Sequence, residues 1–284
     1  MDSGERDIGV GDIDRLAELT AGLAAPFSEL CAANLYLFRH LHRYRISLGE
    51  TPYARGLTYD GTPHAVPLCP LSTEALADLS RRTALILYPQ APQDGWASTY
   101  NPEDSDYIFR AGDLATYTGT ARKGPRHLRR RFRREVGPRD EPFTAGLAAD
   151  VLAILDAWLA DVGQPWAATD FAACREAVAL FEPLGLFGLV TYSRDGDPAG
   201  FVLASDLGDG SAAIHFAKGK RAYPGVFPHL FSRFAETHRQ RFTRLNFEQD
   251  LGKPGFRQAK RSHGPLGLLH KHRLAVPAAP GARG

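Results

Sequence analysis

The sequence is short of several residue types, and each shortage excludes something. Three cysteines in 284 residues, Cys31, Cys69 and Cys174, are odd in number and far apart. They offer neither a disulfide framework nor a Cys-based metal or redox motif, and each reads as a small buried residue in a reducing compartment. Lysine is scarce: of 34 basic residues only six are Lys, so the positive charge is arginine. No apolar run approaches the roughly 20 residues that cross a bilayer. The first 15 residues carry Asp2, Glu5, Asp7, Asp12 and Asp14 and no basic stretch, which excludes a secretory leader. The ten histidines lack Cys or carboxylate partners at ligand spacing, so no metal site is expected. The expectation is a cytoplasmic protein with no bound cofactor and no stable membrane insertion.

What is present is a globular composition, 44% hydrophobic and 23% charged, long enough for two domains. A net charge of +2 conceals an asymmetry: residues 1–121 hold 9 Lys+Arg against 16 Asp+Glu, and residues 122–284 hold 25 against 16. Helical spacing of apolar residues predicts helices at Ile13 to Leu23, Phe27 to Tyr44 and Thr73 to Arg82. Strands are expected at Arg45 to Leu48, Ala54 to Thr58, His64 to Leu68 and Thr83 to Tyr88, with an Asp60-Gly61 hairpin turn. Pro89 to Asp106 reads as an exposed loop. Further on come helices at Ala145 to Val162 and after the cap candidates Thr169 and Asp170. Strands follow at Leu186 to Ser193, Ala199 to Asp206 and Ala212 to Lys218, then a helix at Phe227 to Arg241, then strands at Arg244 to Phe247 and Leu266 to Leu269. Residues after Val276 read as a frayed tail.

Helix, helix, three antiparallel strands, helix, strand is the order of a GNAT acyltransferase domain, and the first half reads as a blurred copy. The expected fold is therefore α+β: two tandem GNAT-like domains, each a mixed, mostly antiparallel sheet flanked by helices. The expected bounds are residues 1–121, a basic connecting helix at 122–140, and residues 141–284 with the active site.

In residues 122–134, eight of thirteen positions are Lys or Arg. On a helix, Arg122, Arg126, Arg129, Arg130 and Arg133 share one side, with Lys123 and Arg134 close by, while Leu128 and Phe132 form a narrow apolar stripe. Such a run is a solvated linker face, a phosphate-binding helix or a membrane-surface element. A second concentration lies toward the carboxyl end. His215, Lys218 and Tyr223 surround a loop with only Gly219 and Gly225, a poor pyrophosphate cradle. Asn246, Glu248 and Asp250 end a strand, followed by Lys253, Arg257, Lys260, Arg261 and His263; the carboxylates either hold a substrate amine or make structural ion pairs.

The strings Asn246-Phe247-Glu248-Gln249-Asp250-Leu251-Gly252, Phe256-Arg257…Lys260 and Pro265 resemble the carboxyl-terminal domain of phosphatidylglycerol lysyltransferases and their soluble relatives. So do Asn34-Leu35-Tyr36-Leu37, Asp106-Tyr107-Ile108 and His215 through Lys218, and the resemblance spans roughly residues 27–273. It implies a tandem GNAT fold similar to Fem-type peptidyltransferases and transfer of an amino acid from its tRNA ester to an acceptor. Aminoacyl-tRNA is then a co-substrate rather than a cofactor. Lipid-acting members usually carry a membrane flippase region, which the sequence lacks, so a soluble amine-bearing small molecule or peptide is the expected acceptor, in natural-product biosynthesis. On this reading Lys218 or Lys260 stabilises the oxyanion and Glu248 or Asp250 accepts the proton. His215, Tyr223, Asn246 and Arg257 bind substrate, and Arg122, Lys123, Arg126, Arg129, Arg130, Arg133 and Arg134 contact the tRNA acceptor arm. The alternatives are a CoA-dependent N-acyltransferase, a non-catalytic RNA-binding module and phosphatidylglycerol aminoacylation.

Overall fold

A computed structural model describes residues 4–23, 27–82, 86–88 and 96–275. The chain divides into two compact units, one formed by the segments up to Asp106 and from Leu269 onward, the other by Tyr107–Leu268. The boundary expected at residue 121 lies inside the second unit, as does the whole basic segment. The tail after Val276 and residues 83–85 of an expected strand lie outside the described residues.

In the first unit, with numbering in chain order, the elements are β1 (Arg6–Asp7), α1 (Ile13–Thr20), α2 (Ala32–Leu37), α3 (Arg39–His42), β2 (Arg45–Ser47), β3 (Tyr53–Leu57), β4 (Pro63–Pro67), α4 (Thr73–Arg82), β5 (Ile86–Tyr88) and β6 (Ala97–Tyr100). The last described strand, β14 (His272–Ala275), inserts between β5 and β6, giving the order β1-β2-β3-β4-β5-β14-β6. β4 and β5 are parallel, so they need a crossover, which α4 supplies. The single helix expected from Phe27 to Tyr44 is instead broken. Cys31 is extended, Phe38 separates α2 from α3, and Arg43 ends α3 in the left-handed region at φ 52°. All six residues of α2 are buried, so apolar spacing there reflects cover on every side rather than one helical stripe. β6 falls in the segment expected to be loop. Its partner β14 is about 175 positions away and its four residues are all exposed, so it shows no alternation to read.

Buried ions anchor β14. Arg273 grips Asp104 through Nε and Nη2 at 2.7 and 2.8 Å, and Asp60 through Nη1 at 2.7 Å. Lys271 donates to Asp106 at 2.6 Å and also to Glu29. Asp106 is the better served carboxylate, because it also accepts from the Ser28 backbone N–H and hydroxyl. Glu29 therefore loses the competition for charge: burial first, then the Asp106 charge, push its carboxyl up to about 7 against the pull of Lys271. A carboxyl raised on folding adds stability that is full below its ordinary value of 4.5 and is lost as pH rises toward 7. Chemical unfolding at pH 5 and pH 7.5 should show the wild type losing on the order of 2 kcal/mol more than Glu29→Gln over that interval. Parallel losses in the two proteins would contradict the assignment.

The second unit holds β7 (Asp106–Arg110), α5 (Ala111–Thr116), α6 (Lys123–Val136), β8 (Arg139–Pro142), α7 (Ala148–Val162), α8 (Phe171–Ala179), β9 (Phe187–Tyr192), β10 (Pro198–Asp206), β11 (Ser211–Gly219), α9 (Val226–Thr237), β12 (Arg244–Asn246), α10 (Pro254–Ser262) and β13 (Gly267–Leu269). The sheet order is β13-β7-β12-β11-β10-β9-β8. β8 to β11 form an antiparallel run. β11 and β12 are parallel across the α9 crossover, and β12 and β7 are antiparallel. β10 and β11 are buried along almost their whole length because α7 covers one face and α9 the other. The partly buried Phe187 stacks on Phe234 and on Phe242 with centroids 5.7 and 5.5 Å apart, and the fully buried rings of Phe234 and Phe242 each contribute about 1.5–3 kcal/mol. Phe109 and Phe231 clamp Phe247 at 4.3 and 4.6 Å, fixing the chain where β12 ends. The Gly225 that starts α9 sits at φ 95°, and a Cβ there would meet the Leu128 carbonyl oxygen at 2.5 Å, so only glycine lets α6 approach this closely. The apolar stripe expected on α6 is half realised: Phe132 is buried, whereas Leu128 is 40% exposed.

Candidate active site

β12 delivers the chain into the segment Phe247–Gly252, whose backbone turns on two left-handed non-glycine residues, Glu248 at φ 58° and Leu251 at φ 54°. Such residues cost of order 1–3 kcal/mol each and persist only where surroundings over-determine them. Here they do. The Glu248 N–H donates to Asn246 Oδ1 at 2.7 Å, and Tyr107 exchanges backbone bonds with Glu248 and Phe247 at 3.1 and 2.9 Å. Lys260, one face of α10, places its ammonium against the carbonyls of Phe247 at 2.5 Å, Glu248 at 3.0 Å and Gln249. An ammonium has three N–H donors, matched here to three carbonyls, so Lys260 shapes the segment rather than offering a donor to an oxyanion.

Asp250 is 1% exposed and its carboxylate is fully bonded. Oδ2 accepts from Tyr107 and from Arg257 Nε at 2.8 Å, and Oδ1 accepts from the Gly252 N–H at 3.0 Å and Arg257 Nη2 at 3.2 Å. Burial works to raise its pKa, yet the Arg257, Tyr107 and Gly252 bonds outweigh it and hold the carboxyl below the usual range. Asp250 is an ionised anchor that orients Arg257. Glu248 lies nearer solvent, its side chain 18% exposed against 2% for Asp250, and its Oε1 meets His215 Nδ1 at 2.8 Å. Structure thus gathers His215, Asn246, Glu248, Asp250, Arg257 and Lys260 into one bonded cluster. Tyr107, which sequence reading placed only in a family string, supplies its floor.

Two expected site residues are bonded elsewhere. Lys218 donates to both oxygens of Asp170 at 2.7 Å and sits 3.8 Å from the Trp158 ring centroid; Asp170, expected to cap α8 with its side chain, is spent on this pair. Tyr223 donates to Asp197 at 2.6 Å. Lys218→Met should lower stability by about 1–3 kcal/mol, below the fully buried case because the Asp170 side chain is 31% exposed. Acyl transfer by that variant should stay within a few-fold of wild type. A hundred-fold loss at unchanged melting temperature would restore Lys218 to the chemistry. Among the described residues, no group of three His, Cys, Asp or Glu is placed to hold a metal.

The model of the family described as phosphatidylglycerol lysyltransferase, C-terminal, matches residues 21–271. The chain belongs to that family. No curated protein matches it by sequence. Among solved structures it resembles a conserved protein of unknown function from Bacteroides thetaiotaomicron VPI-5482, at 20% identity and TM-score 0.83 over 96% of this chain and 99% of that one. It also resembles L-PGS from Bacillus licheniformis, at 14% identity and TM-score 0.60 over 97% and 95% of the two chains. FemX gives 10% identity and TM-score 0.58 over 95% and 96%. At these identities the likeness is one of fold, the tandem GNAT arrangement that the strand and helix order predicts.

In this phosphatidylglycerol lysyltransferase-family chain the turn into α9 is filled from within. The N–H of Lys220 bonds Ala199, that of Tyr223 bonds Lys220, and that of Val226 bonds Tyr223. The Arg221 N–H goes to the Asp161 carboxylate at 2.7 Å, and Lys220 and Tyr223 both reach Asp197. Four N–H groups of this turn, those of Lys220, Arg221, Tyr223 and Val226, thus hold carbonyls or an acid instead of facing a pyrophosphate at the helix start. On α6 the arginines divide into two sets. Arg122 is turned to Asp113 at 2.8 Å and the Gly264 carbonyl at 3.0 Å, and Arg126 to the carbonyls of Tyr117 and Gly119 at 2.8 and 2.9 Å, so both fasten the helix. Arg129 is half-buried, and burial followed by the neighbouring Arg133 charge lowers its pKa. Lys123, Arg130, Arg133 and Arg134 are exposed. Arg133 also lines a basin of about 420 Å³ with Gly137, Pro138, Asp140, His229 and Arg233.

Proposed function

We propose that the chain is an aminoacyltransferase that takes an amino acid from aminoacyl-tRNA, with its reacting centre at the Phe247–Gly252 segment and the lipid phosphatidylglycerol as acceptor. The observation that carries this reading is the Glu248–Asp250 cluster: a partly exposed carboxylate on a strained backbone, beside an ionised anchor locked onto Arg257. An aminoacyl ester is already activated, so no covalent enzyme intermediate is needed. The acceptor hydroxyl attacks the ester carbonyl, Glu248 takes its proton, the carbonyl–ribose oxygen bond breaks, and the ribose hydroxyl leaves with a proton returned by Glu248. Arg257, aimed by Asp250 and with its side chain 32% exposed, is the cation for the charge that develops on the carbonyl oxygen.

Family membership supports the transferase class, and the family's description favours the lipid hydroxyl over the soluble amine expected from the sequence. Among the described residues no helix is long and apolar enough to cross a membrane, so lipid would be met at a surface. The filled turn at α9 supports a donor other than CoA. Thermal melts test the donor: acetyl-CoA at a hundred times a typical dissociation constant would add about 2.7 kcal/mol to a CoA-binding domain. We expect no shift with acetyl-CoA and a concentration-dependent shift with charged tRNA; the reverse pattern would favour a CoA-dependent acyltransferase.

A further inference from the structure

His215 was expected to touch substrate, but its side chain is fully buried. Its two ring nitrogens each meet a polar side chain. Ser205 Oγ lies 2.7 Å from His215 Nε2, and His215 Nδ1 lies 2.8 Å from Glu248 Oε1. The backbone explains how His215 arrives there. Leu203 pairs with Phe216 and Ala204 with Ile214, so His215 is the extra residue of a β-bulge in β11 with no partner opposite on β10. A bulge re-aims the side chain it carries. Ser205 follows Ala204, which packs in the core on the α9 side, so the pleat turns the serine to the other face.

The role proposed for Glu248, a carboxylate that takes a proton, sets the direction of the bonds. An ionised carboxylate only accepts, so Nδ1 carries the hydrogen toward Glu248. In a neutral imidazole Nε2 is then the acceptor and the Ser205 hydroxyl donates to it. These bonds run from a hydroxyl that is 4% exposed, through a buried ring, to a carboxylate at the opening of the cluster. We infer that Ser205, His215 and Glu248 form a fixed hydroxyl–imidazole–carboxylate relay in which His215 and Ser205 are positioning residues. The serine sets the imidazole tautomer, and the imidazole holds Oε1 so that Glu248 meets the acceptor proton in one orientation. The bulge and the left-handed backbone of Glu248 are the two distortions that bring ring and carboxylate together.

This inference rests on Glu248 acting as the proton acceptor of the proposed transfer, and its test has two arms. In the first, nitrogen NMR of the histidine ring in the full chain should show a protonated Nδ1, with that hydrogen-bonded proton lost in Glu248→Ala. A ring protonated on Nε2 alone overturns the relay whether or not the protein transfers anything. In the second, single-turnover transfer compares two isosteres. Asn places its amide N–H where Nδ1–H stands, and Gln places its amide at the Nε2 position. His215→Asn should keep transfer within about fivefold of wild type, while His215→Gln should lose about a hundredfold in the saturating single-turnover rate with the half-saturating substrate concentration little changed. Equal losses in the two variants, or none in either, overturn the positioning role. Should wild type transfer no aminoacyl group while the tautomer arm holds, the functional reading fails and the relay geometry stands.

Discussion

Asp250→Asn is expected to reduce transfer by about 10²–10³-fold, with folding preserved. The substitution keeps the shape but turns an acceptor-only carboxylate into an amide whose NH₂ faces Arg257 in either orientation, together with Tyr107 or the Gly252 N–H, so two of the four inward bonds lose their acceptor. Arg257 then loses the fork-to-fork pairing that aims it, and displacement of a catalytic cation by about 1 Å is enough for a hundred-fold effect. Asp250→Ala goes further, taking the carboxylate away from the Arg257 guanidinium and the Tyr107 phenol at a cost of about 1–3 kcal/mol, below the fully buried case because the Arg257 side chain is 32% exposed, still a sizeable part of a typical domain's 5–15 kcal/mol. The pH behaviour separates the two effects. Because the folded carboxyl lies below the usual range, its stabilisation is present above its ordinary value near 4 and is lost only as pH falls through the depressed one. Wild type should therefore show an acid-sensitive stability component that Asp250→Asn lacks. An Asn variant with wild-type transfer would remove Asp250 from the account.

The second large effect is expected at α6. Replacing Arg130, Arg133 and Arg134 together by Gln should weaken tRNA binding at least tenfold near physiological salt. It should also reduce the slope of log affinity against log salt by about 2–3, close to 0.7–0.9 for each phosphate contact removed. These side chains are exposed, and Arg134 gives up only an exposed pair with Glu135 at 3.0 Å, so the melting temperature should hardly move. Arg122→Gln is the internal contrast. It breaks a partly buried bond to Asp113 and a bond to the Gly264 carbonyl, so it should cost stability while leaving the salt slope nearly unchanged. An unchanged slope in the triple variant would return α6 to the role of a solvated connecting helix.

How far the sequence reveals this molecule depends on whether the determining contacts are local. β9, β10 and β11 are legible because turn chemistry at Asp195-Gly196 and Gly208-Asp209-Gly210 punctuates three apolar runs. α4 and α7 are legible from spacing alone. β6 and β14 are not, because each exists through pairing with a distant strand, and the break in α2 and α3 hides inside a segment buried all round. At the site, the residue types were legible and their roles were not. Lysine looks alike in the sequence whether it faces an oxyanion, three carbonyls as Lys260 does, or an aspartate as Lys218 does. Ser205 gave no signal at all, being one small residue in a strand. Its partner lies at a bulge that strand alternation does not forecast. Tyr107 stood beside Asp106 in a recognisable string, yet only the fold brings it to Asp250, 143 positions away.

Single-turnover incubation of the protein with a pool of tRNA charged with labelled amino acids, in the presence of phosphatidylglycerol vesicles, tests the central claim most directly. Label should leave one tRNA species and appear in the lipid as an ester, without CoA, and Glu248→Gln should stop it. Label that stays on tRNA with vesicles and with soluble amines alike, or an acyl group drawn from acetyl-CoA instead, would contradict the account.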